Sequence, residues 1–182
     1  MRLILTYIPD LVVIEPEVFG DDRGSFYESY NADKFSRLGI NVSFLQDNHS
    51  TSVKGVLRGL HFQQEPKQMA KLVRVTRGRV WDCVVDLRKE SSTFLQWFGI
   101  ELSAENKKML FVPEGFAHGF YTLEDCEFLY KCSAVYDKQL DANVRFDDQV
   151  FGIDWRLTDT PILSERDQRA PSYQEIQNSL QF

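Results

Sequence analysis

The chain has 182 residues, 43% of them apolar and 13% aromatic, and a net charge of −6 at pH 7. That is the length of one domain with material for a sizeable core, and it is not the composition of a disordered chain. No apolar run approaches the roughly 18 residues of a membrane span, and Met1 to Thr6 does not read as the start of a secretory signal.

The predicted elements are short strands broken by Gly, Pro, Asn and Asp. The first covers 11–19 (LVVIEPEVF), and a turn follows over Gly20 to Gly24. Asn31 to Leu38 reads as a short helix with an Asn cap, closed by Gly39. Strands then follow over 55–62, 70–77, 79–88, 96–102, 108–112, 118–123 and 126–136. Arg77-Gly78 and Glu124-Asp125 read as turns, and Pro171 to Leu180 as a weaker second helix. No repeat, low-complexity stretch or linker interrupts the chain. Many short strands at even spacing predict an all-β sandwich or barrel, one domain over 1–182.

Strand alternation places some polar groups oddly. Lys71 shares a face with Val73 and Val75, Asp82 lies between Val80 and Val84, and Tyr130 shares a face with Phe128, Cys126 and Cys132. Polar groups inside a barrel cost free energy unless paired. They mark either a site or a structural ion pair, and periodicity leaves both open. Cys83, Cys126 and Cys132 are odd in number and lie in apolar text, which predicts buried, reduced thiols in a cytoplasmic protein.

The net charge conceals an asymmetry. Residues 54–79 carry seven Lys and Arg against Glu65 alone, a net of +6, so the remaining chain carries −12. Duplex nucleic acid requires a broader basic footprint. One focused positive stretch suits a small anionic ligand, although solvated strand-edge cations give the same count.

Two histidines stand in informative text. His61 lies in Val56-Leu-Arg-Gly-Leu-His-Phe-Gln63, with Arg58 three residues earlier and Lys71 beyond. His118 ends a Pro-x-Gly-x-x-His run starting at Pro113, which resembles the second half of the cupin pattern. The first half, His-x-His followed by Glu, is absent. A transition metal needs three or four N, O or S ligands. Only the remote His49 could join these two, so the expectation is no metal.

At this point the chain resembles the dTDP-4-dehydrorhamnose 3,5-epimerase family, sugar-nucleotide epimerases of the cupin superfamily. The matching text begins with Phe19-x-Asp-x-Arg-Gly-x-Phe-x-Glu28, Gln46-Asp-Asn-x-Ser50 and Gly55-Val-Leu-Arg-Gly-Leu-His61. It continues through Gln68-x-x-Lys-Leu-Val73, Asp82-x-x-x-Asp86, Trp97, Leu102-Ser-x-x-Asn106 and Pro113-Glu-Gly-Phe-Ala-His-Gly-Phe120. It ends with Tyr130-Lys131 and Leu163-Ser-x-x-Asp-x-x-x-Pro171. One departure is Trp155-Arg156, where the family often has Trp-Pro. The resemblance implies a cupin-type jelly-roll β-barrel with a few short peripheral helices.

The implied reaction inverts C3 and C5 of a dTDP-linked 4-keto-6-deoxy sugar. Both carbons are α to the C4 ketone, so each inversion needs a base on one face, an acid on the other and a cation at the developing oxyanion. By resemblance, His61 is the base, Asp167 the carboxylate that orients it, and Tyr130 the acid. Lys71 is the oxyanion partner, a role its inward position supports independently. Asp82 pairs with Lys71 or His118, and His118 contacts the sugar. Arg58 and Arg166 are the expected diphosphate ligands. Gln46 and Asn48 offer amides to the nucleoside, and Phe26 and Glu28 resemble base-contacting neighbours. Arg23 resembles a residue that reaches the partner subunit's site, so a homodimer is implied, with Arg23 and Glu28 completing the partner's site. No cofactor is implied, because the substrate arrives already oxidised at C4.

Two other readings share these motifs. One is a single-centre epimerase or ketoisomerase on a related nucleotide sugar. The other is a non-enzymatic cupin that only binds a sugar nucleotide.

Overall fold

The computed structural model describes residues 1–180. Its N-terminal half comprises β1 (Arg2–Leu5), β2 (Val12–Glu15), β3 (Val18–Asp21), β4 (Gly24–Tyr27), α1 (Ala32–Arg37), β5 (Gln46–Ser52), β6 (Leu57–Gln63), β7 (Lys71–Arg77) and β8 (Arg79–Asp86). The remainder comprises β9 (Trp97–Ser103), β10 (Met109–Val112), β11 (Phe116–Thr122), β12 (Cys126–Cys132), β13 (Asp141–Asn143), α2 (Glu165–Gln168) and α3 (Tyr173–Ile176). Two antiparallel sheets face each other, ordered β1-β2-β10-β7-β12-β5 and β13-β6-β11-β8-β9. This is the expected jelly roll, and β3–β4 forms a separate hairpin.

Alternation divides the apolar side chains among three layers. Val73, Val75, Val80, Val84, Phe120 and Phe128 fill the space between the sheets. Leu60, Phe62, Trp81, Cys83 and Tyr121 cover the outer face of the five-stranded sheet, beneath Phe151, Trp155 and Tyr173 of the C-terminal segment. Leu72, Met109 and Phe111 pack outside the six-stranded sheet against Phe35 and Ile40. Each large side chain so buried contributes roughly 1.5–3 kcal/mol. The apolar filling does not reach the whole interior. Where β5, β6, β7 and β12 meet, the inward residues turn polar, and that end is open.

Several expectations are corrected. The run 11–19 is two strands, not one: Pro16 follows β2, and β3 leaves for the hairpin. The strand predicted over 126–136 ends at Cys132, and the tail helix shrinks to Tyr173–Ile176. β1, β5 and β13 gave no strand signal, β5 because Gln46–Ser52 contains no apolar residue. The helix over 32–37 is correct in kind: Asn31 caps it by accepting from Lys34 N at 3.1 Å, and buried Phe35 anchors it.

Gly59 and Gly119 matter most for the site. A Cβ on Gly59 would lie 2.5 Å from Gly119 Cα, and Gly59 has φ +133°. This contact lies where β6 and β11 shift register, between His118 and Phe120. In a regular strand, residues three apart face opposite sides. Here Arg58 and His61 both line the interior cavity.

Candidate active site

His61 comes from β6 and lies directly opposite His118 of β11. Its Nε2 is 2.6 Å from Asp167 Oδ1. Asp167 sits in α2 and is nearly enclosed, whereas about a third of the His61 side chain is exposed. Ser164, the N-cap of α2, completes the arrangement. Its hydroxyl donates to Asp167 Oδ2 at 2.8 Å and accepts from Asp167 N at 3.1 Å. One carboxylate oxygen is therefore fixed by the cap and the other by the imidazole. Burial pushes the Asp167 pKa up, but the His61 and Ser164 hydrogen bonds and nearby Arg166 outweigh it, and the carboxyl lies below its ordinary value.

The opposite wall is the six-stranded sheet. Tyr130 of β12 opposes Asn48 of β5, and Cys132 lies between Gln46 and Lys71 in register. Burial and the neighbouring Cys132 raise the Tyr130 pKa. Burial lowers that of Lys71, with Cys132, Asp141 and Asp82 opposing the shift. Lys71 Nζ reaches the His61 carbonyl at 3.5 Å. The open choice for Asp82 is settled toward His118. Its carboxylate oxygens lie 2.9 and 3.1 Å from His118 Nε2, both side chains being buried. Lys71 interacts with Asp82 only at longer range.

Two adjoining cavities, sharing His61, Lys71 and Tyr130, make up the cleft between these walls. An inner cavity of about 220 Å³ is lined by Ser50, Arg58, His61, Lys71, His118 and Tyr130, among others. An outer cavity of about 170 Å³ shares His61, Lys71 and Tyr130 and adds Gln46, Asn48, Tyr136, Asp141 and Arg166. Base and acid candidates thus project from different sheets into one space, with the lysine beside them. Arg58 is held by Ser52 Oγ, 3.0 Å from its Nε. Arg166 Nη1 is held by Asp141 Oδ2 at 2.6 Å, and Tyr136 donates to the same oxygen at 2.9 Å.

The structure narrows the basic-stretch reading. Of the seven cations in 54–79, Arg58 and Lys71 line the cleft. Lys67 pairs with Asp137, Arg79 pairs with Glu124, and Arg74 donates to the Tyr27 hydroxyl. Arg23, Phe26 and Glu28 are not in this chain's cleft. Arg23 pairs with Asp21 at the hairpin tip, Glu28 with Lys34, and Phe26 is 70% exposed. His49 is 3.6 Å from Glu127, outside this cleft. The three cysteines are unpaired and buried. Among the described residues, no group of three or more His, Cys, Asp or Glu is arranged to hold a metal. No helix among them is long and apolar enough to cross a membrane.

Sequence reasoning gave no role to Ser164, although it lies in the Leu163-Ser-x-x-Asp-x-x-x-Pro171 motif, and missed Tyr136 and Asp141. An S-x-x-D cap before a one-turn helix was legible in Ser164-Glu-Arg-Asp167. Asp141, on a three-residue strand, left no signal.

The fold is a cupin-type jelly-roll barrel, and in it a histidine–carboxylate pair faces a tyrosine and a lysine across an arginine-rimmed cleft. A family profile described as dTDP-4-dehydrorhamnose 3,5-epimerase matches residues 5–175, and the chain belongs to that family. It is 52% identical over 173 residues to a dTDP-4-dehydrorhamnose 3,5-epimerase of Salmonella typhimurium, covering 94% of each chain. Among solved structures it resembles the enzyme of that name from Elizabethkingia anophelis, with TM-score 0.92, 50% identity, and coverage of 96% of this chain and 97% of that one. It also resembles a dTDP-6-deoxy-D-glucose-3,5-epimerase from Legionella pneumophila in complex with dTDP-4-keto-L-rhamnose, with TM-score 0.94, 44% identity, and coverage of 98% and 95%.

Proposed function

We propose that this protein converts dTDP-4-dehydro-6-deoxy-D-glucose to dTDP-4-dehydro-L-rhamnose by inverting C3 and C5. The observation that carries the proposal is the placement of His61 and Tyr130 on opposing sheets around one cavity that Lys71 also lines. His61 removes the proton α to the C4 ketone. Asp167 fixes the imidazole tautomer and stabilises the imidazolium that forms. Lys71 balances charge at the C4 oxygen as the enolate develops. Tyr130 returns a proton from the other face. His118, oriented by Asp82, contacts the sugar. The ketone itself activates both carbons, so the chemistry calls for neither a metal nor a redox cofactor.

The outer cleft takes the nucleoside, and the diphosphate lies where it joins the inner cavity, between Arg58 of the inner lining and Arg166 of the outer. Arg58 and Arg166 bind the diphosphate, Gln46 and Asn48 contact the nucleoside, and the half-exposed Tyr136 ring offers a flat face to the base. The protein acts as a cytoplasmic single-domain chain assembled as a homodimer. The hairpin supports the dimer: Val18, Phe19 and Phe26 are exposed there, beside Arg23 and away from their own cleft. Arg23, Phe26 and Glu28 then complete the site of the second copy.

The test follows conversion of the purified 4-keto sugar nucleotide by proton NMR. The expected result is epimerisation by the wild type, with none by His61→Ala, which still binds dTDP. Turnover by His61→Ala contradicts the base assignment, and dTDP binding without turnover by the wild type contradicts the enzymatic reading.

A further inference from the structure

Ser50 lines the cleft, and the roles above leave its hydroxyl unused. It lies on β5 opposite Phe128, between Asn48 and Ser52, on the inward side of the strand. It lines the inner cavity with Arg58, His61, Lys71, His118 and Tyr130. Its Oγ is fully buried and has no hydrogen-bond partner among the described residues. Its neighbours differ in this respect: Ser52 Oγ accepts from Arg58, His61 meets Asp167, and His118 meets Asp82. A buried hydroxyl without a partner is a cost that native structures seldom carry without a reason. Here the missing partner faces a cavity and not the packed core.

We propose that Ser50 is a substrate-contacting residue whose hydroxyl hydrogen-bonds an oxygen of the bound hexose, from the same wall as Tyr130. This rests on the sugar-nucleotide reading of the cleft and deepens it. Ser50 and Tyr130 both come from the six-stranded sheet, whereas His61 comes from the other. Ser50 therefore grips the sugar from the acid side while the base works from the opposite side. It contacts the hexose, because it lines the inner cavity beside His61, His118 and Tyr130, the groups that act on the sugar, and is absent from the outer one, where Gln46, Tyr136 and Arg166 lie.

The experiment compares Ser50→Ala and Ser50→Thr with wild type by calorimetric titration of dTDP and of dTDP-glucose, a non-reacting hexose nucleotide. The extra affinity for dTDP-glucose over dTDP isolates the hexose contacts. The expected result is that Ser50→Ala loses about tenfold of that increment. Its affinity for dTDP alone should stay within twofold of wild type. Ser50→Thr, which keeps the hydroxyl, should recover part of the increment. The melting temperature of ligand-free Ser50→Ala should equal or exceed that of wild type, because an unpaired buried hydroxyl has been removed. An unchanged increment in Ser50→Ala overturns the proposal, and so does a lowered melting temperature, which makes the hydroxyl structural. Failure of the wild type to epimerise would sink the catalytic reading but leave these binding results standing as the test of Ser50.

Discussion

His61 and Asp167 are separated by 106 positions in the chain, yet His61 Nε2 and Asp167 Oδ1 lie 2.6 Å apart. The carboxylate is held on its other oxygen by the Ser164 hydroxyl, so its direction toward the ring is fixed before substrate arrives. Replacing it by Asn keeps the size but removes the charge that supports the imidazolium. Asp167→Asn should lower kcat roughly a hundredfold or more, with dTDP affinity unchanged, as steady-state kinetics and titration can show.

The same pair makes stability depend on pH. The Asp167 pKa is lowered in the folded protein. Its stabilising contribution is therefore full above the unfolded carboxyl value of about 3.9 and is lost as pH falls through the lower folded value. The melting-temperature gap between wild type and Asp167→Asn should thus be open at neutral pH and close on acidification below about pH 4. A gap independent of pH would show that the charge on Asp167 does not support the fold.

Tyr130 lies on the sheet opposite His61, so removing its hydroxyl should separate the two halves of the reaction. Tyr130→Phe should still exchange the α protons of recovered substrate with solvent while net epimerisation falls by about 10²-fold or more. Mass spectrometry of substrate recovered from D2O measures the first and NMR the second. Equal loss of both would remove Tyr130 from the acid role.

Burial moves the two alkaline groups in opposite directions. Lys71 titrates below its ordinary 10.5 and Tyr130 above its ordinary 10.0. Deprotonation of Lys71 removes the cation at the C4 oxygen and should set the alkaline limit of activity. The alkaline fall of kcat/KM should therefore lie below pH 10.5 and persist in the α-proton exchange catalysed by Tyr130→Phe. Disappearance of that limb in the Phe variant would assign it to the tyrosine.

Arg23 and His61 belong to different sites if the hairpin reaches a second copy. Arg23→Ala and His61→Ala homodimers should each be severely impaired. Mixed and allowed to exchange subunits, they should regain activity, because one site of each mixed dimer then holds both native residues. No recovery in mixtures shown to contain heterodimers would place Arg23 outside the partner's site.

Much of the fold was legible because burial on alternate positions writes itself into the text. β7, β8, β11 and β12 carry Val, Phe, Tyr and Cys at the spacing of a pleated strand, and Lys71, Asp82 and Tyr130 stood out as polar exceptions on inward faces. β5 was not legible, because its inward side is given to Gln46, Asn48 and Ser50. A strand that lines a polar cavity loses the apolar signal by which strands are recognised. The pairing of His61 with Asp167 was available only through family resemblance, since no local pattern links a strand to a one-turn helix so far along the chain. The Arg58–His61 pairing on one face depends on the register shift at Gly59 and Gly119, which regular alternation does not predict.

The central claim is that base and acid stand on opposite sides of the sugar and act at both carbons flanking the ketone. It is tested most directly by incubating the wild type with dTDP-4-dehydro-6-deoxy-D-glucose in D2O and locating the label in the product by NMR. The account predicts an L-configured product with deuterium at both C3 and C5. Label and inversion at only one of those carbons would contradict it.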